Sequence, residues 1–538
     1  MPRADFLRET KQRRGAWFVC ALALVAVAYG QTDHIDQLIA DFNNADYHVA
    51  DRAVEELGHN FGALPVERLI PLLTDSTLMV RMRAASALGE IKDPRAVEPL
   101  VAMLKATQDN LIGRQSAVSA ARALGDIKDP RAVEPLITAL NGGYGYDSDL
   151  RENAALALGQ IKDPRAVKSL LAALYGSRDV QYGATKALGN IGTPEVVESV
   201  IGLAGRAATA ATPAAPVYEV LAEIKNPSAI GALTAALKSE FPNVRQGATK
   251  ALANIGTAET VEPLISALAD PLRDVANIAV GALGEIKDPR AVEPLVAILR
   301  DTKDDDASHP FDSVKRTRAA LALGKIRDPR AIEPLLTALT DKYSNVRKGA
   351  ADAFGYVGSL GVEPLTASLR DPSPDVRRSA AAALGYTKAP SAVDPLIAAL
   401  KDDPNSNVRQ SAADALGSTK DRRAVGPLSG ALMDAPAVRQ VAAVALIESR
   451  ASDAIPEALR KRFTVVVAEV YPIVIHRGIT GSEQALILAL NEEGDARMAT
   501  TFLNCGNLSL EAAAREWAKK RGMQITTSPY GDFPRWGR

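Results

Sequence analysis

The chain has only two cysteines, Cys20 and Cys505, among 538 residues. Cys20 lies in a segment that we expect to be removed, so the mature chain keeps one cysteine and has no internal disulfide. A metal site of the Cys-x-x-Cys type is excluded, because it needs a pair of closely spaced thiols. We expect Cys505 to be a buried structural residue, and a reactive thiol is the alternative.

Aromatic residues and net charge are also scarce. Phe, Trp and Tyr make up 5% of the chain, and 63 Lys and Arg residues stand against 64 Asp and Glu residues. A core with so few rings is aliphatic and rich in alanine, which suits closely stacked helices. Nucleic-acid-binding proteins usually carry a basic stripe. We therefore expect no nucleic-acid partner and interpret most of the charges as a solvated surface.

The sequence lacks the short motifs of common catalytic sites. It has no His-Glu-x-x-His zinc motif, no Gly-x-Ser-x-Gly nucleophile elbow and no phosphate-binding Gly-Lys-Ser/Thr loop. None of the histidines is followed by glutamate; they are His34, His48, His59, His309 and His476. These observations predict a chain with no catalytic residues and no bound metal or cofactor.

A long hydrophobic run occurs only near the N-terminus. A basic stretch over 1–15 is followed by the uncharged run Ala16–Ala28, which ends in the small-x-small sequence Ala-Val-Ala. Basic residues, a short apolar core and a cleavage site are typical of a secretory signal. We interpret 1–30 as a signal peptide, which predicts a periplasmic or secreted protein. An uncleaved membrane anchor and a buried first helix of a cytosolic protein are the alternatives.

What the chain has in abundance is one repeated phrase. Ile-Lys-Asp-Pro-Arg-Ala-Val-Glu-Pro-Leu occurs at 91–100, 127–136 and 286–295. A small or apolar residue stands just before the phrase, and we call it the landmark residue. It recurs from Gly58 to Ile447 with a mean spacing of about 32 residues, as in solenoid repeats. A unit of this length cannot bury its apolar face alone, so neighbouring units must stack.

Each unit is predicted to contain two helices. The first is clearest over 244–252, where small and apolar residues fall at helical spacing. The second begins at Asp-Pro, with the aspartate as N-cap and the proline at the first helical position. The second proline of the phrase, such as Pro99, would remove a hydrogen bond and bend the helix. The predicted fold is an all-α right-handed solenoid of about 12–13 hairpins over 31–460, with a helical C-terminal capping region over 461–538.

These phrases resemble the bacterial HEAT-like repeats named after phycobilisome lyases, and the resemblance covers about 58–460. It implies the solenoid fold but no particular activity. Phycobilisome lyases attach a bilin to a cysteine of a partner protein, so a bilin lyase-like or chaperone-like helper of a tetrapyrrole-carrying protein is the alternative function. HEAT-repeat hydroxylases use His-Glu pairs as iron ligands, and this chain has no such pair.

An arginine recurs eight residues before the small landmark residue. We predict that these arginines form a ladder of ion pairs between adjacent units with the aspartates of the Asp-Pro-Arg phrase, since the arginine fork suits partly buried pairs. A basic stripe facing a ligand is the alternative. The predicted ladder comprises Arg81, Arg151, Arg245, Arg316, Arg347, Arg377, Arg409 and Arg439, with Asp93, Asp129, Asp163, Asp288 and Asp328.

Two insertions interrupt the repeat, and insertions in solenoids form loops on one face. The segment 300–314 holds five aspartates and His309; we expect a solvated loop, with calcium binding as the alternative. The segment 141–149 is rich in glycine and places Tyr144 and Tyr146 as candidate partner contacts. Together, many copies of a structural unit and no catalytic motif predict a monomeric, non-enzymatic scaffold. Its concave face would bind a protein or peptide partner.

Overall fold

A computed structural model describes residues 33–44, 46–106, 111–142, 148–207, 216–301, 312–451 and 454–525. These residues are almost entirely helical and contain no strand, which confirms the predicted all-α solenoid. The chain divides into two compact units, the first ending at Ile255 and the second beginning at Gly256. Among the described helices, none is long and apolar enough to cross a membrane. The predicted signal segment 1–30 lies outside the described residues.

The first unit is a succession of helical hairpins. Its first helices are Tyr47–Asn60, Leu78–Ile91, Leu111–Ile127, Ser148–Ile161, Arg178–Ile191, Val217–Glu223 and Pro242–Ile255. Most second helices begin with a short 3-10 turn and continue as an α-helix. Their α-helical parts are Val66–Leu69, Val97–Lys105, Val133–Leu140, Val167–Ala173, Pro194–Ala207 and Ile230–Ala236.

The second unit continues the same hairpins and then changes character. Its first helices are Arg273–Ile286, Asp312–Ile326, Ser344–Val357, Pro374–Thr387, Ser406–Thr419 and Pro436–Glu448. The α-helical parts of its second helices are Val261–Ala267, Val292–Arg300, Ile332–Ala338, Val362–Ser368, Val393–Asp402 and Val425–Gly430. The C-terminal helices are Glu457–Arg477, Glu483–Glu493, Ala496–Asn504 and Leu508–Arg521.

The turn between the two helices follows from the Asp-Pro-Arg phrase. Asp93 is extended, and its carboxylate accepts a hydrogen bond of 2.9 Å from the Arg95 N–H, as expected of an N-cap. Pro94–Ala96 then forms a 3-10 turn, and the α-helix begins only at Val97. Pro99 therefore lies in the first α-helical turn, where the N–H groups have no partner within the helix. The bend expected at this proline stays a prediction.

The small landmark residue lets consecutive first helices approach closely. A Cβ atom built on Gly89 would lie 2.9 Å from the Cα atom of Ala123, and one built on Gly324 would lie 2.6 Å from the Cα atom of Ala353. Distances this short are incompatible with a side chain. The landmark is therefore a packing site, and Leu88 beside it is fully buried.

Candidate functional site

Buried arginine–aspartate pairs link the first helices of the second unit to the connections that follow the second helices. The Arg347 guanidinium donates to both carboxylate oxygens of Asp371, at 2.7 and 3.0 Å. Arg377 and Asp403 are paired in the same way. Two further pairs, Arg316–Asp341 and Arg409–Asp434, extend the series. In each pair the arginine comes from the first helix of a hairpin, and the aspartate lies after the second helix of the same hairpin, in the connection to the next one. We call this series the arginine ladder.

Backbone contacts connect one pair to the next. The same arginine that binds the following aspartate side chain also donates to the carbonyl of the preceding one. Arg377 Nη1 lies 2.9 Å from the carbonyl oxygen of Asp371, and Arg409 Nη1 lies 2.9 Å from that of Asp403. The Asp403 carboxylate also accepts the Asn405 N–H at 2.9 Å. The ladder is therefore a continuous network, in which hydrogen bonds reinforce one another.

The pairing changes the protonation of the ladder aspartates. Burial raises the pKa of Asp403, but hydrogen bonds from Arg377 and Asn405 and the charges of Arg377 and Arg409 outweigh it, so the pKa lies below its ordinary value. The hydrogen bond from Arg409 lowers the pKa of Asp434. A hydrogen-bonded carboxylate beside a guanidinium favours its charged form. These groups remain charged at neutral pH and hold the helices together.

In the first unit the equivalent arginines bind neutral groups. Arg81 donates to the Ser116 hydroxyl at 3.1 Å and to the carbonyl of Asp75 at 2.6 Å. Arg151 donates to the carbonyl of Leu140 at 2.8 Å, and Arg245 to that of Ser239 at 2.9 Å. The last arginine of the series, Arg439 in the second unit, lies 3.8 Å from Glu469. The recurring arginine thus connects hairpins in both units through different acceptors.

The predicted partners of the ladder require a correction. Each aspartate of the Asp-Pro-Arg phrase is held by the arginine two residues later, at 2.8 to 2.9 Å, and the ladder arginines bind other acceptors. The observed pairs are Asp93–Arg95, Asp129–Arg131, Asp163–Arg165, Asp288–Arg290 and Asp328–Arg330. The reason is local, because the aspartate and the arginine lie two residues apart in one tight turn. The phrase itself contained this signal, since its arginine recurs with its aspartate.

The arginine of the phrase also reaches back to the preceding hairpin. Arg131 Nη2 lies 2.8 Å from the carbonyl oxygen of Pro94, and the equivalent nitrogen of Arg330 lies 3.0 Å from that of Pro289. In several hairpins it also faces an exposed carboxylate of the preceding second helix. These ion pairs are Arg95–Glu67 at 2.7 Å, Arg165–Glu134 and Arg290–Glu262 at 3.7 Å, Arg330–Glu293 at 3.6 Å and Arg423–Asp394 at 3.0 Å. We call these arginines the turn clamp.

Neighbouring second helices leave grooves between them. In the first unit a groove of about 700 Å³ is lined by Ile70, Leu73, Pro99, Ala102 and Met103, and it reaches Arg81 of the ladder. In the second unit a groove of about 680 Å³ is lined by Thr366, Leu369, Asp394, Pro395 and Ala398, and it reaches the ladder residues Asp371, Arg377 and Asp403. Both grooves have apolar walls from second helices and polar groups at one end, a composition that suits ligand binding.

The structure also places some of the other residues that the sequence singled out as possible reactive or metal-binding groups. Cys505 is buried, with 1% of its surface exposed, and its thiol donates to the carbonyl of Phe502 at 3.2 Å. His34 bonds to Glu56 at 2.8 Å near the first-unit surface. No cluster of His, Cys, Asp and Glu suited to a metal ion occurs in the described residues. Tyr144, Tyr146 and most of the acidic segment 300–314 lie outside them.

The repeat model named HEAT repeats matches most of the chain. The matched residues are 35–120, 115–179, 146–215, 214–280, 230–310, 307–361 and 362–447. The chain belongs to the HEAT-repeat family. Comparison with curated proteins gave no significant match.

Several solved HEAT-repeat-like structures are similar to this chain in fold. Yeast importin β (Kap95p) is 14% identical, with 91% of this chain and 73% of that chain covered and a TM-score of 0.45. E. coli YibA is 20% identical, with 47% and 95% covered and a TM-score of 0.32. Human deoxyhypusine hydroxylase is 24% identical, with 54% and 95% covered and a TM-score of 0.22. With TM-scores below 0.5, none of these structures bears on what this HEAT-repeat protein binds.

Proposed function

We propose that this HEAT-repeat protein is a non-enzymatic, monomeric scaffold that binds a protein or peptide partner on its second helices. The observation that carries the proposal is the open groove between Val362–Ser368 and Val393–Asp402. Its apolar wall holds exposed Ala398, and its far end holds charged groups fixed by the arginine ladder. Rigid walls of this kind bind a partner without a large cost of ordering, which favours a binding surface.

A site-specific cross-linking experiment tests the groove. Ala398 is replaced by p-benzoylphenylalanine, and the exposed first-helix residue Arg378 is replaced in a matched control. We expect a discrete protein adduct from position 398 and none from position 378. The captured protein, once purified, must bind the isolated chain and lose affinity for an Ala398→Trp variant. Equal labelling at both positions, or unchanged affinity of the variant, would overturn the proposal.

We further propose that the chain is exported and that 1–30 is its signal peptide, with membrane anchorage by the same segment as the alternative. The basic stretch followed by Ala16–Ala28 supports this proposal. Cell fractionation and the mass of the mature chain test it. A chain shortened by about the predicted signal in the periplasm supports cleavage, full-length protein in the membrane supports the anchor, and full-length protein in the cytosol contradicts export.

The bilin helper remains a separate proposal and rests on the repeat resemblance alone. Incubation of the purified chain with a free bilin tests it directly, since a bound or transferred tetrapyrrole changes the visible absorption spectrum. A scaffold that binds only proteins leaves the bilin spectrum unchanged.

A further inference from the structure

The clamp arginine is absent from several turns, where its position holds Leu64, Glu195, Ser228 or Glu259. It is also absent from two consecutive turns of the second unit, Gly358–Gly361 and Pro390–Ala392. The turn Gly358–Gly361 has Gly358 in place of the capping aspartate and Leu360 in place of the clamp arginine. In the next turn, Pro390–Ala392, Ala389 and Ser391 occupy these two positions. Neither turn therefore supplies a guanidinium to the hairpin before it.

The loss leaves two neighbouring carboxylates without their usual partner. Glu333 and Glu363 occupy the position at which Glu293 and Asp394 bind clamp arginines at 3.6 and 3.0 Å. Both side chains are exposed, and neither forms an ion pair with any described residue. Among the described residues, no arginine donates to the carbonyls of Pro329 and Ser359, which are equivalent to the clamp acceptors Pro94 and Pro289.

The same turns expose apolar and aromatic side chains. Leu360 is 66% exposed, Tyr386 is 76% exposed and Tyr356 is 41% exposed. The two tyrosines occupy equivalent positions on neighbouring first helices, directly after Gly355 and Gly385, whereas polar residues such as Glu90 and Glu285 stand there in other hairpins. Among the turns that lack the clamp arginine, these two follow a first helix with tyrosine at this position, whereas the other four follow His59, Asn190, Glu223 and Asn254. We call Glu333, Tyr356, Leu360, Glu363 and Tyr386 the turn patch.

The missing group defines the chemistry of an occupant. Elsewhere the position is filled by a guanidinium that binds one carboxylate and one carbonyl, as Arg330 binds Glu293 and Pro289. Two such pairs of a carboxylate and a carbonyl, Glu333 with Pro329 and Glu363 with Ser359, lack a clamp arginine in two successive hairpins. Tyrosine faces attract guanidinium groups through cation–π interaction, and Leu360 offers apolar contact. The nearby exposed cations Arg327 and Lys388 lie at the left-handed ends of the first helices, a position that is basic in clamped turns as well.

We infer that the turn patch binds a cationic segment of a protein partner, which inserts arginine side chains where the chain omits its own. This inference rests on the proposed scaffold function and adds a partner class and a second contact surface to it. Arginine is favoured over lysine because its planar fork can bind a carboxylate and a carbonyl together. A partner segment with apolar residues between its arginines would also cover Leu360 and the tyrosine rings.

A peptide-binding experiment with restored clamps tests the inference. The probe is a fluorescein-labelled Arg-Leu-Gly-Arg-Leu-Gly peptide, and its counterpart with Glu for Arg is the charge control. We expect saturable binding of the arginine peptide only. Leu360→Arg should weaken it about tenfold, because the new side chain fills the gap as in other hairpins, and the double variant Glu333→Gln/Glu363→Gln should weaken it to a similar extent.

Matched controls distinguish binding at the turn patch from nonspecific attraction of the cationic peptide to acidic surface residues. Glu293→Gln removes an equally exposed carboxylate that is already clamped, and Tyr182→Ala removes an exposed tyrosine of the first unit; both should bind the probe within about twofold of the unaltered chain. Equal losses in these controls, or unchanged binding by Leu360→Arg, would overturn the inference. Light scattering should show no dimer. A dimer of the unaltered chain that becomes a monomer in Leu360→Arg would also overturn the inference, because the patch would then bind a second copy of this chain.

The two proposals fail in different ways. If cross-linking at position 398 captures a partner whose affinity is unchanged by Leu360→Arg, the scaffold proposal stands and the turn-patch inference fails. If position 398 captures nothing while the arginine peptide binds the patch specifically, the groove proposal fails instead. Circular dichroism of each variant confirms that the helices remain folded.

Discussion

Arg377 binds Asp403, at the end of the second helix of its own hairpin, through two parallel hydrogen bonds, of 2.7 Å from Nε and 3.0 Å from Nη2. Their side chains are only 12% and 6% exposed. Because Arg377 also holds the carbonyl of Asp371, one guanidinium fixes three consecutive segments of the second unit. The ladder therefore contributes to stacking beyond the apolar contacts of the helices.

Removal of one ladder carboxylate should destabilise the second unit. Asp403→Asn leaves the Arg377 guanidinium buried without its charged partner and should lower the free energy of unfolding by about 1–3 kcal/mol. Urea denaturation followed by circular dichroism measures the change. Asp375→Asn is the matched control, since the Asp375 side chain is 69% exposed and its loss should have little effect. Equal midpoints for both variants would show that the ladder pair is not stabilising.

The ladder should also make stability depend on acid pH. The pKa values of Asp371, Asp403 and Asp434 are lowered in the folded chain. Their stabilisation is complete above the unfolded-state value of about 3.9 and is lost as pH falls through the lower folded-state values. The difference in unfolding free energy between the unaltered chain and Asp403→Asn should therefore narrow under strongly acidic conditions. A constant difference from neutral to acid pH would contradict this account.

The landmark glycines should resist substitution despite the helix propensity of alanine. A Cβ atom at Gly324 would meet the Ala353 backbone at 2.6 Å, so Gly324→Ala should destabilise the second unit by about 1–3 kcal/mol through forced separation of two helices. Gly281→Ala is the control, because nothing lies within 4 Å of its Cβ position. This control should stabilise the helix by about 0.5–1 kcal/mol. Thermal denaturation of both variants checks that the two changes have opposite signs.

A missing N-cap can be restored by design. Ala389 has the extended backbone of the capping position but makes no side-chain cap bond, whereas Asp288 bonds to the Arg290 N–H at 2.9 Å. Ala389→Asp should stabilise the second unit by about 0.5–2 kcal/mol, and Asp288→Ala should destabilise it by a similar amount. Urea midpoints of the two variants should move in opposite directions. If both midpoints moved in the same direction, the capping hydrogen bond would not be the cause of the change in stability.

Much of the fold was predictable because its determinants are local. Asp-Pro at 93–94 predicts a capped turn, and periodic alanine and leucine predict the helix before it. The sequence did not reveal that a 3-10 turn delays the α-helix to Val97, which places Pro99 in the first α-helical turn. The turn patch was not predicted either. The sequence does show that Leu360 and Ser391 replace the arginine of the phrase. This replacement could be interpreted only after the structure showed that the clamp arginines bind the preceding hairpin.

The sequence by itself determined the repeat and the helical hairpins, since capped turns and helical periodicity depend on residues a few positions apart. The close approach at the landmark glycines, such as Gly324 to Ala353, depends on the stacking of successive first helices. Tertiary structure decided which carboxylate each arginine binds. Asp328 is bound by Arg330 within its own turn, and Arg347 pairs instead with Asp371, which follows the second helix of its own hairpin. That choice depends on the packing of helices distant in sequence, which brings Asp371 within reach of Arg347.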